Sequence, residues 1–96
     1  MSTTLTDAQI TDALENLAGW TFQNDKITKT YRFGSFKEAM SFIVRLSYEA
    51  EALNHHPELF NVYSTVRIAL NTHDAGGKVT AKDLDLAKRI EEIAWV

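Results

Sequence analysis

The chain has 96 residues, 45% of them apolar, a net charge of −3 and no cysteine. Such a length allows one domain with a modest core, and the lack of cysteine excludes a disulfide framework, a thiol nucleophile and a cysteine-rich zinc site. Lys and Arg are scattered, which excludes the clustered basic face of a nucleic-acid binder, and no apolar run approaches a membrane span. Residues Met1 to Leu5 are polar, without a basic-then-apolar leader, so the expected setting is the cytoplasm.

Thr6-Asp7-Ala8-Gln9 has the form of a capping box. Ile10, Ala13, Leu14 and Leu17 follow at helical spacing, which predicts a first helix from about Asp7 to about Asn16 with Gly19 as its C-cap. Trp20 to Gln23 and Ile27 to Phe33 read as strands, joined by the turn chemistry of Asn24-Asp25-Lys26. In the second strand Ile27, Lys29, Tyr31 and Phe33 alternate with Thr28, Thr30 and Arg32, as in a sheet with one buried face.

Ser35-Phe36-Lys37-Glu38 is a second capping box, opening a long helix. Phe36, Ala39, Met40, Ile43, Leu46, Ala50 and Leu53 recur at steps of three or four. Phe42, Val44 and Tyr48 widen the apolar surface beyond one stripe, enough to cover a partner subunit as well as a sheet. The helix must stop near Asn54 or His55, because Pro57 pushes His56 out of the helical region.

Val62 to Leu70 alternates apolar and polar positions and reads as one strand. Asn71 to Gly77 is a loop with a sharp turn at Gly76-Gly77, and Lys78-Val79 a short strand. Thr80 caps the last helix. Leu84, Leu86, Ala87, Ile90, Ile93 and Ala94 give that helix its apolar face, and Lys88, Arg89, Glu91 and Glu92 its solvated one. The order predicts a single α+β domain over residues 1–96: a small antiparallel sheet with helices on one face.

All three histidines lie around one strand-like segment. His55 and His56 precede it, and His73 follows it. Imidazole gives and takes protons near neutrality. His55 stands four residues after Glu51 and at the negative end of a helix, which suits a general acid, while His56 in extended backbone suits a base. The plainer readings are a capping histidine, a solvated Glu51 and a merely tight Gly-Gly turn. Zinc is the rival chemistry, with Glu51 or Asp74 completing the ligands. Adjacent histidines rarely reach one ion, however, and no His-x-His or His-x-x-x-His spacing occurs. Ser64 lacks the context of a nucleophile elbow.

Glu51-x-x-Asn54-His55-His56-Pro57-Glu58, Asn61-Val62-Tyr63, Thr72-His73-Asp74-Ala75-Gly76-Gly77 and Thr80-x-x-Asp83 together closely resemble the pterin-4a-carbinolamine dehydratase family. The resemblance covers essentially the whole chain. It implies a four-stranded antiparallel sheet with three helices on one side, assembled as a homotetramer or homodimer. It also implies dehydration of 4a-hydroxytetrahydropterins to quinonoid dihydropterin, a step that recycles the cofactor of aromatic amino acid hydroxylases. The substrate is the only small molecule required, with no metal and no organic cofactor. Carried over residue by residue, the family's histidines fall on His55, His56 and His73. Its pterin-binding segments fall on Asn54 to Pro57 and on Asn71, Thr72 and Asp74, with Glu51 at the rim. Glu51, Asn71 and Thr72 are the expected partners of the pterin edge.

Animal members carry aspartate in place of Asn54 and tryptophan in place of Leu59. The same resemblance implies a second, non-enzymatic possibility. Vertebrate relatives bind the dimerisation helices of a homeodomain transcription factor as coactivators, and other dehydratase-like proteins are assembly factors for carbon-fixing enzymes. A role of that kind would use the long helix around Val44 and Tyr48 and leave the histidines dispensable.

Overall fold

In the computed structural model, which describes residues 3–95, helix α1 (Asp7–Leu14) starts as the sequence predicts. The Thr6 hydroxyl accepts the Gln9 N–H at 3.1 Å, and the Gln9 side chain returns to the Thr6 N–H at 2.9 Å. The helix stops short of Asn16. Gly19, at φ +87, lies in the turn that follows and does not cap it. Strands β1 (Thr21–Gln23) and β2 (Lys26–Arg32) form a hairpin with Gln23 opposite Lys26. Asn24 and Asp25 hold the turn alone, both at positive φ, the conformation a two-residue hairpin loop requires.

Helix α2 (Phe36–Leu53) follows. Its expected capping box forms only in half. The Ser35 hydroxyl accepts the Glu38 N–H at 3.2 Å, but the Glu38 carboxylate takes the N–H of Gly34, one residue earlier than the motif predicts.

The stretch expected as one strand from Val62 to Leu70 is two. Strand β3 (Glu58–Val62) turns at Tyr63 and Ser64 and pairs antiparallel with β4 (Thr65–Leu70). Tyr63 sits at φ 51, and the Asn61 side chain clamps the turn by donating to the Tyr63 and Thr65 carbonyls. No glycine, proline or Asn-Gly pair announces this turn, so the alternation runs through it unbroken. The four strands make one sheet in the order β1-β2-β4-β3, antiparallel throughout.

Ile27 and Tyr31 of β2 share a face with Val66, Ile68 and Leu70 of β4. They join Ile10, Phe42 and Leu46 from the first two helices, and Leu86 and Ile90 from α3 (Ala81–Ile93), in one core. The alternate positions Thr28, Thr30, Arg32 and Arg67 lie on the other face, which they share with the exposed Phe60 and Val62 of β3. The result is an α+β single layer with its three helices on one side. Lys78-Val79 is not a strand: Thr72 and Lys78 form an isolated bridge. No helix among the described residues is long and apolar enough to cross a membrane.

Glu91, expected on the solvated face of α3, turns inward. It accepts from Lys29 Nζ at 2.8 Å, from Trp20 Nε1 at 3.3 Å and from the Tyr31 hydroxyl. Burial pushes the Tyr31 phenol above its ordinary 10.0, and its hydrogen bond to Glu91 and that carboxylate's charge add to the shift. For Glu91, burial alone would raise the carboxyl. The hydrogen bonds from Lys29 and Tyr31, the Lys29 charge and the Trp20 N–H outweigh it and hold the group below 4.5. A carboxyl depressed on folding contributes stability that is present above its unfolded value and lost as pH falls through the folded one. Wild type should therefore lose more stability than Glu91→Gln as pH is lowered below 4.5, measured by urea unfolding. Parallel losses in the two proteins would show that Glu91 contributes nothing.

Candidate active site

The site begins at the end of α2. Asn54 adopts the left-handed conformation, φ 49 and ψ 45, which asparagine tolerates better than most side chains. The Asn54 N–H bonds the Glu51 carbonyl at 3.1 Å and the His55 N–H bonds the Ala50 carbonyl at 3.0 Å, a Schellman closure. This reversal takes His55 off the helical face that Glu51 occupies, so the expected Glu51–His55 pair does not form. Glu51 instead meets His56, Oε2 to Nε2 at 3.1 Å, with both side chains largely exposed.

His55 turns into the protein, its side chain only 8% exposed. Its Nε2 lies 2.5 Å from Oδ1 of Asp83, which is fully buried at the start of α3. The other oxygen, Oδ2, accepts the Thr80 N–H at 2.8 Å and the Thr72 hydroxyl at 2.9 Å. Asp83 is thus the third residue of a capping box on α3 and, at the same time, the partner of a buried imidazole. A buried ionisable group needs such partners, since unpaired burial of charge is costly.

His73 opens the short 3-10 turn His73–Ala75 that follows β4. The Thr72 N–H bonds the Lys78 carbonyl at 2.8 Å and the Gly77 N–H bonds the Thr72 carbonyl at 3.1 Å, folding the loop back. Gly76 and Gly77 both sit at positive φ, so the pair is required by the backbone.

These segments enclose an open cleft of about 350 Å³. Asn54, His55, His56, Asn71, Thr72, His73 and Asp74 line it, together with Glu58 and Lys82, to which the sequence reading gave no role. Glu51 and Pro57 are not among the lining residues. Glu51 reaches the cleft only through His56, and Pro57 leads the chain from the helix end into β3. Thr72 is 2% exposed and its hydroxyl is committed to Asp83 and Thr80, so it is not free for a ligand. Asn71 donates to the Gly77 carbonyl at 3.1 Å, which leaves its side-chain oxygen as an acceptor.

The Asp83 contact spans 28 residues and had one local signal, the Thr80-x-x-Asp83 capping pattern, which explains only one of its two oxygens. Among the described residues no group of three or more His, Asp or Glu is placed to hold a metal ion. What the cleft offers is three imidazoles of different environment in a polar, concave surface. That suits proton transfer on a small, polar ligand.

The family model described as pterin 4 alpha carbinolamine dehydratase matches residues 3–93. A protein of Opitutus terrae with the provisional name pterin-4-alpha-carbinolamine dehydratase is 62% identical over 96 residues, covering 100% of this chain and 99% of its own. One from Solibacter usitatus, provisionally named likewise, is 45% identical, covering 98% of each chain. Among solved structures, a protein of Brucella melitensis described as a transcriptional coactivator/pterin dehydratase superposes with a TM-score of 0.92 at 35% identity. That match covers 97% of this chain and 100% of the other. A pterin dehydratase-like protein described as a RuBisCO assembly factor in the alpha-carboxysome shares the fold, with a TM-score of 0.64 at 21% identity over 78% of this chain and 86% of the other.

Proposed function

Because the chain belongs to the pterin 4-alpha-carbinolamine dehydratase family, we propose that it converts 4a-hydroxytetrahydropterin to quinonoid dihydropterin and water, with His55, His56 and His73 as acid–base groups. The observation that carries this reading is the convergence of all three imidazoles on one cleft. The reaction asks for little else. An acid protonates the 4a-hydroxyl as its carbon–oxygen bond breaks. The lone pair of the neighbouring ring nitrogen forms the new double bond to the carbon, and a base removes that nitrogen's proton. One proton is given, one is taken, and water leaves. Each positioned imidazole contributes roughly 10²–10⁴-fold as acid or base. Asn54, Asn71 and Asp74 are the proposed contacts of the pterin's polar edge, and Glu51 acts at the rim through His56.

The test is the rate of 4a-hydroxytetrahydropterin dehydration above the spontaneous rate. Folded protein that gives no acceleration would sink the dehydratase reading.

A second reading has its own observation. Val44 and Tyr48, one helical turn apart on α2, are 55% and 72% exposed, and Leu59, Phe60, Val62 and Tyr63 expose a further apolar strip at the edge strand β3. Large apolar side chains exposed in this number on a small domain ask for a partner. We assign them first to other copies of this chain, in a homodimer or homotetramer. Light scattering at assay concentration should give a multiple of 10.9 kDa, and Tyr48→Glu should lower the mass. A monomeric wild type would leave these faces to a different protein, as a coactivator or assembly factor would use them.

A further inference from the structure

We infer that Asp83 is a positioning residue, and that with Thr72 and Thr80 it holds His55 as the Nε2–H tautomer, so that Nδ1 is the atom this imidazole presents to substrate. The inference rests on the dehydratase reading and narrows it to an atom.

The direction of the hydrogen bonds carries the argument. The Thr80 backbone N–H and the Lys82 N–H can only donate. The first ends on Asp83 Oδ2 at 2.8 Å and the second on the Thr80 hydroxyl oxygen at 3.3 Å. The single proton of the Thr72 hydroxyl goes to Asp83, so across the 2.6 Å contact the Thr80 hydroxyl is the donor and Thr72 Oγ1 the acceptor. Thr72 sends its proton to Asp83 Oδ2 at 2.9 Å. The chain of donors therefore runs one way and ends on the carboxylate. With Asp83 as a carboxylate, which has only acceptor sites, the imidazole nitrogen 2.5 Å from Oδ1 is the one that carries hydrogen. Nε2–H is thereby fixed, and Nδ1 is left for the cleft that His55 lines.

His56 and His73 differ. His56 meets Glu51 from a side chain 60% exposed, and the His73 ring is exposed, so neither is held in one tautomer by a buried partner. Over a turnover, Nδ1 of His55 gains and loses one proton while Nε2–H stays with Asp83. When both nitrogens are protonated, the positive charge faces the buried carboxylate. Asp83 touches no substrate and acts only through the ring, by the same logic as other carboxylate–imidazole pairs.

The test combines ¹⁵N NMR of the histidine rings with kcat and KM for Asp83→Asn, Thr72→Val and Thr72→Ser. In wild type, neutral His55 should show hydrogen on Nε2 and a bare Nδ1. Asp83→Asn should lower kcat on the order of 10²-fold or more with KM changed by less than about threefold, and should alter the tautomer signal. Thr72→Val should lose activity that Thr72→Ser restores, because serine keeps the donor. Hydrogen on Nδ1 in wild type would overturn the inference, as would folded Asp83→Asn with kcat within about threefold of wild type, or equal activity of the two Thr72 variants. If Asp83→Asn does not fold, the wild-type spectrum and the Thr72 pair decide. If wild type fails to accelerate dehydration, the dehydratase reading falls, while the spectrum still decides which nitrogen Asp83 holds.

Discussion

His55→Ala is expected to lower kcat on 4a-hydroxytetrahydropterin by roughly 10²–10⁴-fold and to destabilise the fold. His56→Ala should lower kcat while leaving stability within about 0.5 kcal/mol of wild type. The split follows from burial. The His56 side chain is 60% exposed and its partner Glu51 74% exposed, and a solvated pair of this kind contributes little. His55 is the partner of a fully buried carboxylate. Removing one member of a buried pair costs about 3–5 kcal/mol when the other is left uncompensated. Here Asp83 retains two donors, the Thr72 hydroxyl and the Thr80 N–H. The expected cost is therefore nearer that of one hydrogen bond to a charged group, about 1.5–3 kcal/mol. Turnover and urea unfolding on the two variants check both halves. His55→Ala unfolding at the wild-type urea concentration would show that the Asp83 contact contributes no net stability.

The same residues show where sequence reasoning succeeds. The stripe Ala39, Ile43, Leu46, Ala50 of α2 was legible because helical periodicity is local and repeated. The caps at Thr6 and Thr80 were legible because a capping box is complete within four residues. The grouping of three histidines was legible because two are adjacent and the third follows one strand-like segment, which the structure shows to be a hairpin.

What the sequence hid depends on distant or single-residue geometry. The Glu51–His55 pair was a sound expectation for a continuing helix, but the left-handed turn at Asn54 sends His55 elsewhere. Glu91 reads as solvated on its own helix, yet its partners Trp20, Lys29 and Tyr31 lie 60 or more residues away. Strand β3 was hidden because its turn uses Tyr63 and Ser64, held by Asn61, where glycine or Asn-Gly would have been recognised. The local pattern thus grouped the three histidines, and the tertiary fold added Glu58 and Lys82 to the cleft, left Glu51 and Pro57 off its lining, and decided which side chains pair.

Phe42→Ala should be the most damaging single change to the fold. Phe42 is fully buried, and its ring centroid lies 5.0 Å from those of both Tyr31 and Phe33. Those two rings stand on and just beyond β2, so Phe42 joins α2 to the sheet. Truncating a buried phenylalanine costs about 3–5 kcal/mol through lost transfer energy and the cavity left behind, and the tilted aromatic contacts add to it. A domain this small has about 5–15 kcal/mol of total stability, so the variant should be largely or wholly unfolded at elevated temperature. Each kcal/mol lowers Tm by roughly 4–8 °C at this size. Phe42→Leu should lose less, because leucine refills part of the volume. Since α2 also ends in the turn that delivers His55 and His56, the two variants should lose activity on heating in the same order as they lose structure. A Phe42→Ala protein melting within a few degrees of wild type (about 5 °C) would mean that the core closes over the lost ring, and that α2 is anchored by its other contacts.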